Sequence, residues 1–423
     1  MEEYLNFVHY CIDEKQRIPS ISEWDALFMF MQQQALLGVG FRGLERMKQA
    51  GVDVPRDVVL KWYAISEQIR QRNVEMNKMC VELTEMLKKD GFESCILKGQ
   101  GNARLYPAPL SRQPGDIDVW VKPVKGLEFR VKGEGLSIDE RRKVVTKYVR
   151  GKFPKTEIRY QHIEFPVFKD VEVEVHFIPT AKNNPIYNHR IQRWAEGRMA
   201  EQCKNFVVLP NTDETVCVPT VNFNVVYQLS HLMHHFFDEG VGLRQMMDYY
   251  YLLRKAKDES EKLKVKSEKF FDENSGLKSG NLNAGHVGSE GLEFRDESLG
   301  RGEDDGLELR VESLEFSLSY LGLYKFAGAV MWVLHEVLGL EEAYMIAPMD
   351  EWRGKLLLDE ILKGGNFGHY SGLTNHSTGT KYFLKIKRNM RFVRAYPSEA
   401  LCEPLFRTWH FFWRVLVKLR VEG

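Results

Sequence analysis

The sequence predicts an α+β fold, in which a mixed sheet with flanking helices lies between helical N- and C-terminal regions. Apolar residues recur at helical spacing in the first 90 residues and again after residue 221. The segment between them contains short runs with the two-residue period of β-strands. The composition, with 43% hydrophobic and 28% charged residues, is that of a globular chain and excludes wholesale disorder.

The length of 423 residues allows two or three domains. We expect a helical N-terminal region (1–90), an α+β core (91–220), a helical region (221–262), a flexible polar insertion (263–312) and a mostly helical C-terminal region (313–423). The insertion is predicted from its enrichment in Gly, Ser, Asn and acidic residues. Such a composition buries too little apolar surface to offset the chain entropy lost on ordering.

Helices are predicted wherever the apolar residues keep the 3.6-residue period. This pattern covers residues 21–89, a charged stretch at 139–149, two segments starting at 222 and 243, and residues 314–340. The sheet must therefore come from the short runs that lie between these helices in the α+β core.

The first predicted strand ends at Leu97 and is followed by Lys98-Gly99-Gln100-Gly101. Glycines directly after a strand indicate a tight turn, where the missing Cβ lets backbone N–H groups approach a phosphate. A helix starting here would favour the same anion, and Lys98 would add a positive charge. Taken alone, such a sequence is also common as a turn without a ligand.

Two aspartates open the next predicted strand. Residues 116–121 alternate polar and apolar, which places Asp116 and Asp118 on one face, roughly 6.5–7 Å apart along the strand. Neighbouring carboxylates repel each other unless a cation neutralises them, and Mg²⁺ commonly binds one or two carboxylates together with substrate phosphates. A single Asp-x-Asp pair is more often a solvated strand face. Its interpretation therefore depends on the other motifs and on their order along the chain.

A later hairpin supplies further polar groups. Residues 157–165 and 171–177 alternate with the strand period, and in the second run Glu172, Glu174 and His176 share one face. If this strand neighbours the strand with the two aspartates, a third carboxylate joins them. Alternation alone does not decide between Glu172 and Glu174.

Charge and topogenic signals exclude several classes of protein. Lys plus Arg equals Asp plus Glu at 59 each, so no overall basic excess indicates a nucleic-acid or anionic-membrane partner. The N-terminus carries acids where a signal peptide has basic residues, and no run reaches the roughly 18 apolar residues of a membrane span. The six cysteines are scattered without metal-binding spacing. We expect a cytoplasmic protein without a membrane partner.

The order of these motifs resembles the bacterial uncharacterised nucleotidyltransferase family, which belongs to the polymerase-beta-like nucleotidyltransferase superfamily. The resemblance rests on Leu97-Lys98-Gly99, Tyr106-Pro107, Arg112-Gln-Pro-Gly115-Asp116-Ile-Asp118, Glu174-Val-His176, His231-Leu-Met-His234-His235, Gly242-Leu-Arg244 and Asp248. It extends over most of the chain, and the block around the two aspartates is its most specific part.

The resemblance implies a nucleotidyltransferase-like fold and the transfer of a nucleoside monophosphate from a nucleoside triphosphate to an acceptor, with release of pyrophosphate. The implied catalytic and metal-binding residues are Asp116, Asp118 and Glu174, with Mg²⁺ as the ion and Mn²⁺ as an alternative. The residues implied to contact the nucleotide are Lys98, Gly99, Gln100, Arg112, Gly115 and His176. The acceptor stays open between a protein, a small molecule and RNA.

Three features keep other interpretations open. The superfamily usually has Gly-Ser where this chain has Gly99-Gln100, so a non-catalytic nucleotide-sensing or protein-interaction module on the same fold is the alternative function. His231, His234 and His235 lie near one face of a predicted helix, either as a metal cluster or in packing and phosphate contacts. Residues 381–394 interleave basic and aromatic side chains, which fits either RNA binding or an ordinary amphipathic helix.

Overall fold

The computed structural model describes residues 1–124, 136–274, 314–368 and 378–422. Four helices precede the sheet: α1 (Glu2–Ile12), α2 (Trp24–Gln33), α3 (Leu37–Gln49) and α4 (Arg56–Lys89). The core that follows contains β1 (Phe92–Leu97), α5 (Gly99–Ala103), β2 (Ile117–Pro123), α6 (Ile138–Lys152), β3 (His162–Glu164), β4 (Val173–His176), α7 (Pro185–Glu196), α8 (Met199–Gln202), β5 (Phe206–Val208) and β6 (Thr215–Cys217). Helices dominate again from α9 (Val221–Asp238) and α10 (Leu243–Asn274) to α11 (Leu314–Tyr320), α12 (Tyr324–Leu338), α13 (Glu351–Gly364), α14 (Thr378–Met390) and α15 (Pro397–Glu422).

The main sheet has four strands in the order β1-β2-β4-β3. Strand β2 pairs antiparallel with β1 and parallel with β4, and β4 pairs antiparallel with β3, so the sheet is mixed. Strands β5 and β6 form a separate two-stranded sheet. The predicted α+β fold with a mixed sheet and flanking helices is confirmed.

The sheet buries its apolar face against two helices. Val119, Val121 and Val175 point into a core that also receives side chains from the second half of α4 and from α6. Helix α6 begins with a capping box, in which Ser137 and Glu140 satisfy each other's backbone N–H groups. Because the apolar face of β2 and β4 packs against these helices, their opposite face is turned toward a cavity.

Helix α4 connects the sheet to the helical regions. Its first half, including Trp62, packs in a large helical core with α1–α3, α9, α10 and α12, whereas its second half, including Leu83, lies under the sheet. One continuous helix thereby ties the orientation of the sheet to that of the helices around it.

Two predicted segments differ from the structure in their extent. The strand predicted over 157–165 is shorter, because only His162–Glu164 joins the sheet and the preceding residues turn back, with Ile158 bridging Ile163. The polar insertion predicted from residue 263 begins inside α10, which continues to Asn274 through a stretch rich in the good helix formers Lys and Glu. The rest of the predicted insertion, 275–312, lies outside the described residues.

Among the described residues, no single helix combines the length and the apolar character needed to cross a membrane. The bent pair formed by α11 and α12 meets that criterion jointly, on length and composition alone.

Candidate active site

A cavity of about 780 Å³ opens at the edge of the main sheet where β1 ends and where β2 and β4 begin. The sheet contributes Lys98, Asp116, Glu174 and His176 to its wall. Further wall residues come from the β3 segment, from α9 and α10, from the C-terminal helices α14 and α15, and from loops beside them. Most of these side chains are polar or charged, so the cavity suits a charged ligand.

Three carboxylates converge on this cavity. Asp118 and Glu174 are register partners on the parallel strands β2 and β4, and Asp116 immediately precedes β2. One oxygen from each lies within 4.8 Å of the other two. The structure therefore brings together the three acids predicted from the sequence. Oxygen ligands converging in this way suit Mg²⁺, so the donor set fits the ion that the sequence predicts.

Asp118 is 2% exposed and is neutralised from both sides. Lys98 Nζ donates to its Oδ2 at 2.9 Å, and His176 Nε2 lies 2.8 Å from its Oδ1. Burial by itself would raise the pKa of Asp118, but the charges of Lys98 and His176 hold that pKa well below its usual range. Asp118 is therefore ionised at neutral pH.

Glu174 and His176 have raised pKa values, whereas the pKa of Asp118 is lowered. Burial raises the pKa of Glu174, with a further contribution from the charge of Asp118 and an opposing one from His176. Burial would lower the pKa of His176, but its hydrogen bonds to Asp118 and Glu174 raise it to about 9. The site thus holds one firmly ionised carboxylate beside one that accepts a proton more readily.

The turn after β1 has an unusual backbone. Lys98 has a φ of +49° and Gly99 a φ of +36°, in a region that costs a residue with a Cβ roughly 1–3 kcal/mol. The strained Lys98 backbone directs its side chain to Asp118. Gly115, the other glycine predicted at the site, lies in the wall of the cavity.

Gln100 and Arg112 are not brought into the cavity. The Gln100 amide, 2% exposed, donates to Asn77 Oδ1 at 2.5 Å in the interior beside α4. The Arg112 guanidinium forms a two-pronged ion pair with Asp248, with nitrogen–oxygen distances of 2.7 and 2.8 Å, and Tyr106 donates to the same carboxylate. These contacts anchor the segment that leads into Asp116.

We expect Arg112→Met to lower the free energy of unfolding by about 3–5 kcal/mol, because it leaves the buried Asp248 carboxylate without its countercharge. Denaturant unfolding followed by circular dichroism measures this change. The matched control is Lys122→Met, whose partner Glu93 is 3.0 Å away and whose side chain is 38% exposed, and it should cost about 1 kcal/mol or less. Equal losses in the two variants would contradict the anchoring role.

The three histidines of α9, which were predicted to lie near one helix face, all line the same cavity. His231 Nε2 lies 3.1 Å from Lys98 Nζ and 2.8 Å from His235 Nε2. His234 Nε2 accepts from the amide of Gln161 at 3.1 Å. Burial lowers the pKa of His231 well below its usual value, aided by the charge of Lys98, so a neutral imidazole accepts from the lysine and orients it.

Sequence reasoning missed several residues of the cavity wall. His162 stands opposite His176 in the β3–β4 register, a position that the hairpin register alone would have indicated. Lys385, Arg407 and His410 come from the distant C-terminal helices. No local pattern places those helices beside the sheet.

A mixed sheet with carboxylates on adjacent strands beside a glycine turn defines the class of nucleotidyltransferase-like α+β proteins. Residues 20–269 match the family model described as uncharacterised nucleotidyltransferase, and the chain belongs to this family of nucleotidyltransferases. The resemblance inferred from the sequence is thereby confirmed. No curated protein and no solved structure shows significant similarity to the chain.

Proposed function

We propose that this protein is a Mg²⁺-dependent enzyme that transfers a nucleoside monophosphate from a nucleoside triphosphate to an acceptor and releases pyrophosphate. The convergence of Asp116, Asp118 and Glu174 within 4.8 Å at the wall of a large polar cavity, in a chain of this family, carries the proposal.

Asp116, Asp118 and Glu174 are the residues that would hold Mg²⁺, or Mn²⁺ as an alternative. When bound, the ion neutralises triphosphate charge and stabilises the charge that develops as the phosphoryl bond is exchanged. Two of the carboxylates lie on rigid adjacent strands, and the third directly precedes one of these strands. This arrangement would give the ion a fixed position relative to the cavity.

Lys98 would contact the triphosphate while His231 holds its ammonium group in place. In the transfer, an acceptor oxygen bonds to the α-phosphorus and the bond from that phosphorus to the bridging oxygen breaks. Pyrophosphate leaves, and the proton of the acceptor hydroxyl passes to Glu174. Burial raises the pKa of the Glu174 carboxyl, which makes it a better proton acceptor than an exposed glutamate.

The volume of about 780 Å³ lies within the range of roughly 300–1,000 Å³ typical of small-molecule sites, and it leaves the acceptor unassigned among a small molecule, a peptide segment and an RNA end. Lys385 lies in the wall of this cavity, so one basic residue of the stretch 381–394, which fits either RNA binding or an ordinary amphipathic helix, faces the site. All six cysteines are free thiols, which supports a reducing compartment such as the cytoplasm.

Isothermal titration with each of the four ribonucleoside triphosphates, with and without Mg²⁺, tests the nucleotide site. An assay for pyrophosphate release then tests transfer. We expect binding of at least one triphosphate that strengthens with Mg²⁺, followed by pyrophosphate release. Absence of metal-dependent binding would overturn the proposal.

Metal-dependent binding without turnover on any acceptor would instead favour the non-catalytic nucleotide-sensing or protein-interaction module. The position of Gln100 favours that alternative, because its side chain faces the interior and supplies no hydroxyl or amide to a phosphate.

A further inference from the structure

Glu174 takes part in a second group of metal-ligating atoms, which includes neither Asp116 nor Asp118. His162 Nδ1 lies 3.1 Å from Glu174 Oε2, and His176 Nε2 lies 3.3 Å from the same oxygen. One ligand atom from each of these three residues lies within 4.8 Å of the other two. Two imidazoles therefore face one carboxylate oxygen.

The separations match those of ligands around one ion. Nitrogen and oxygen ligands lie about 2.0–2.2 Å from Zn²⁺, so two ligands at a tetrahedral angle are roughly 3.3–3.6 Å apart. The two nitrogen–oxygen distances to Glu174 fall at or slightly below this range. The two imidazole nitrogens lie within 4.8 Å of each other, so the side chains would draw closer together around an ion.

The surroundings orient the His176 ring and leave one nitrogen of the His162 ring without a hydrogen-bond partner among the described residues. His176 Nδ1 lies 3.2 Å from the backbone oxygen of Ile178, the contact that typically orients a metal-binding imidazole through its second nitrogen. The side chains of His162 and His176 are 12% and 4% exposed. His162 Nε2 is buried and makes no hydrogen bond within the part of the chain that the structure describes. The two histidines are direct partners across β3 and β4, so the backbone ladder sets their spacing.

We infer that His162, Glu174 and His176 form a binding site for a divalent transition metal ion, with Zn²⁺ as the best match. Imidazole nitrogens suit Zn²⁺, whereas Mg²⁺ prefers an all-oxygen set such as Asp116, Asp118 and Glu174. Binding would release the Nε2 proton of His176 to solvent and exchange the 2.8 Å contact between His176 and Asp118 for a metal–nitrogen bond. The site requires no nucleotide, and it goes beyond the proposed transfer reaction.

The test uses the full chain, purified without a histidine tag, stripped with a chelator and titrated with Zn²⁺ alone by calorimetry. We expect one equivalent to bind, and His162→Ala to weaken the affinity at least about tenfold. The matched control is His234→Ala, which removes another partly buried histidine of the same cavity and should bind Zn²⁺ like the wild type. This control also tests the α9 histidines as a metal cluster.

Absence of Zn²⁺ binding by the wild type, or undiminished binding by His162→Ala, would overturn the inference. A loss confined to His234→Ala would move the metal to the α9 histidines and overturn it as well. Thermal melts of the stripped proteins show whether a variant folds. His162→Cys, which keeps a zinc ligand at this position, should retain the rise in melting temperature that Zn²⁺ causes.

Asp116→Asn separates this site from the proposed nucleotide site. It should weaken Mg²⁺-dependent triphosphate binding and leave the affinity for Zn²⁺ within about twofold of the wild type, because Asp116 does not belong to the histidine group. Equal loss of both would show one shared centre and contradict the inference. A protein that binds Zn²⁺ without binding any triphosphate would keep the metal site and refute the proposed function.

Discussion

Replacing Asp118 by Asn is expected to abolish Mg²⁺-dependent triphosphate binding and to lower the free energy of unfolding by roughly 3 kcal/mol. The first effect follows because the substitution removes the charge of a hard oxygen ligand. The second follows because Lys98 and His176 both pair with this carboxylate and would keep buried positive charge without it. Sequence alone indicates no loss of stability, since it shows two repelling acids and neither of their partners.

Thermal melts with and without Mg²⁺ and triphosphate measure the binding effect, and denaturant unfolding measures the stability. Asp139→Asn is the control, because Asp139 is 81% exposed and pairs with Arg142 on the helix surface. It should change stability by about 0.5 kcal/mol or less. A ligand-induced rise in melting temperature equal to that of the wild type would remove Asp118 from the metal site.

The helical part of the fold could be predicted because long helices repeat their pattern many times. Helix α4 carries its apolar period through 34 residues, and α9 does so through 18. The strands were harder, because β3 has only three residues and the alternation of 157–165 continues across a chain reversal. Periodicity indicates which side chains alternate between the two faces of a strand, and it does not indicate where the backbone turns.

The candidate site was predictable only where its residues are close in sequence. The Asp-x-Asp pair and the glycine turn are local features, whereas the approach of Glu174 depended on the neighbouring positions of β2 and β4. The partners of Gln100 and Arg112 could not be foreseen, because Asp248 lies 136 residues beyond Arg112. The sequence alone does not distinguish an arginine that is buried in an ion pair from one that binds phosphate, because the carboxylate partner comes from a distant part of the chain.

The choice between the two glutamates of the β4 segment rests on the structure as well as on the resemblance. Glu172 is exposed and precedes the strand, whereas Glu174 lies within β4, with a side chain 19% exposed. Only Glu174 belongs to the groups that could hold a metal ion among the described residues. The two positions therefore form a matched pair for mutation, with the same side chain in different surroundings.

Glu174→Gln is expected to lower the turnover number by about 10²–10⁴-fold while largely sparing triphosphate binding, because the amide cannot take the proton of the acceptor hydroxyl. Glu172→Gln should change turnover less than about twofold, since its carboxylate lies outside the group formed with Asp116 and Asp118. Steady-state kinetics on an identified acceptor, with calorimetry for the triphosphate, measure both variants side by side. An inactive Glu172→Gln beside an active Glu174→Gln would reverse the assignment. Equal weakening of triphosphate binding and turnover in Glu174→Gln would show that Glu174 acts through Mg²⁺ alone and not as the base.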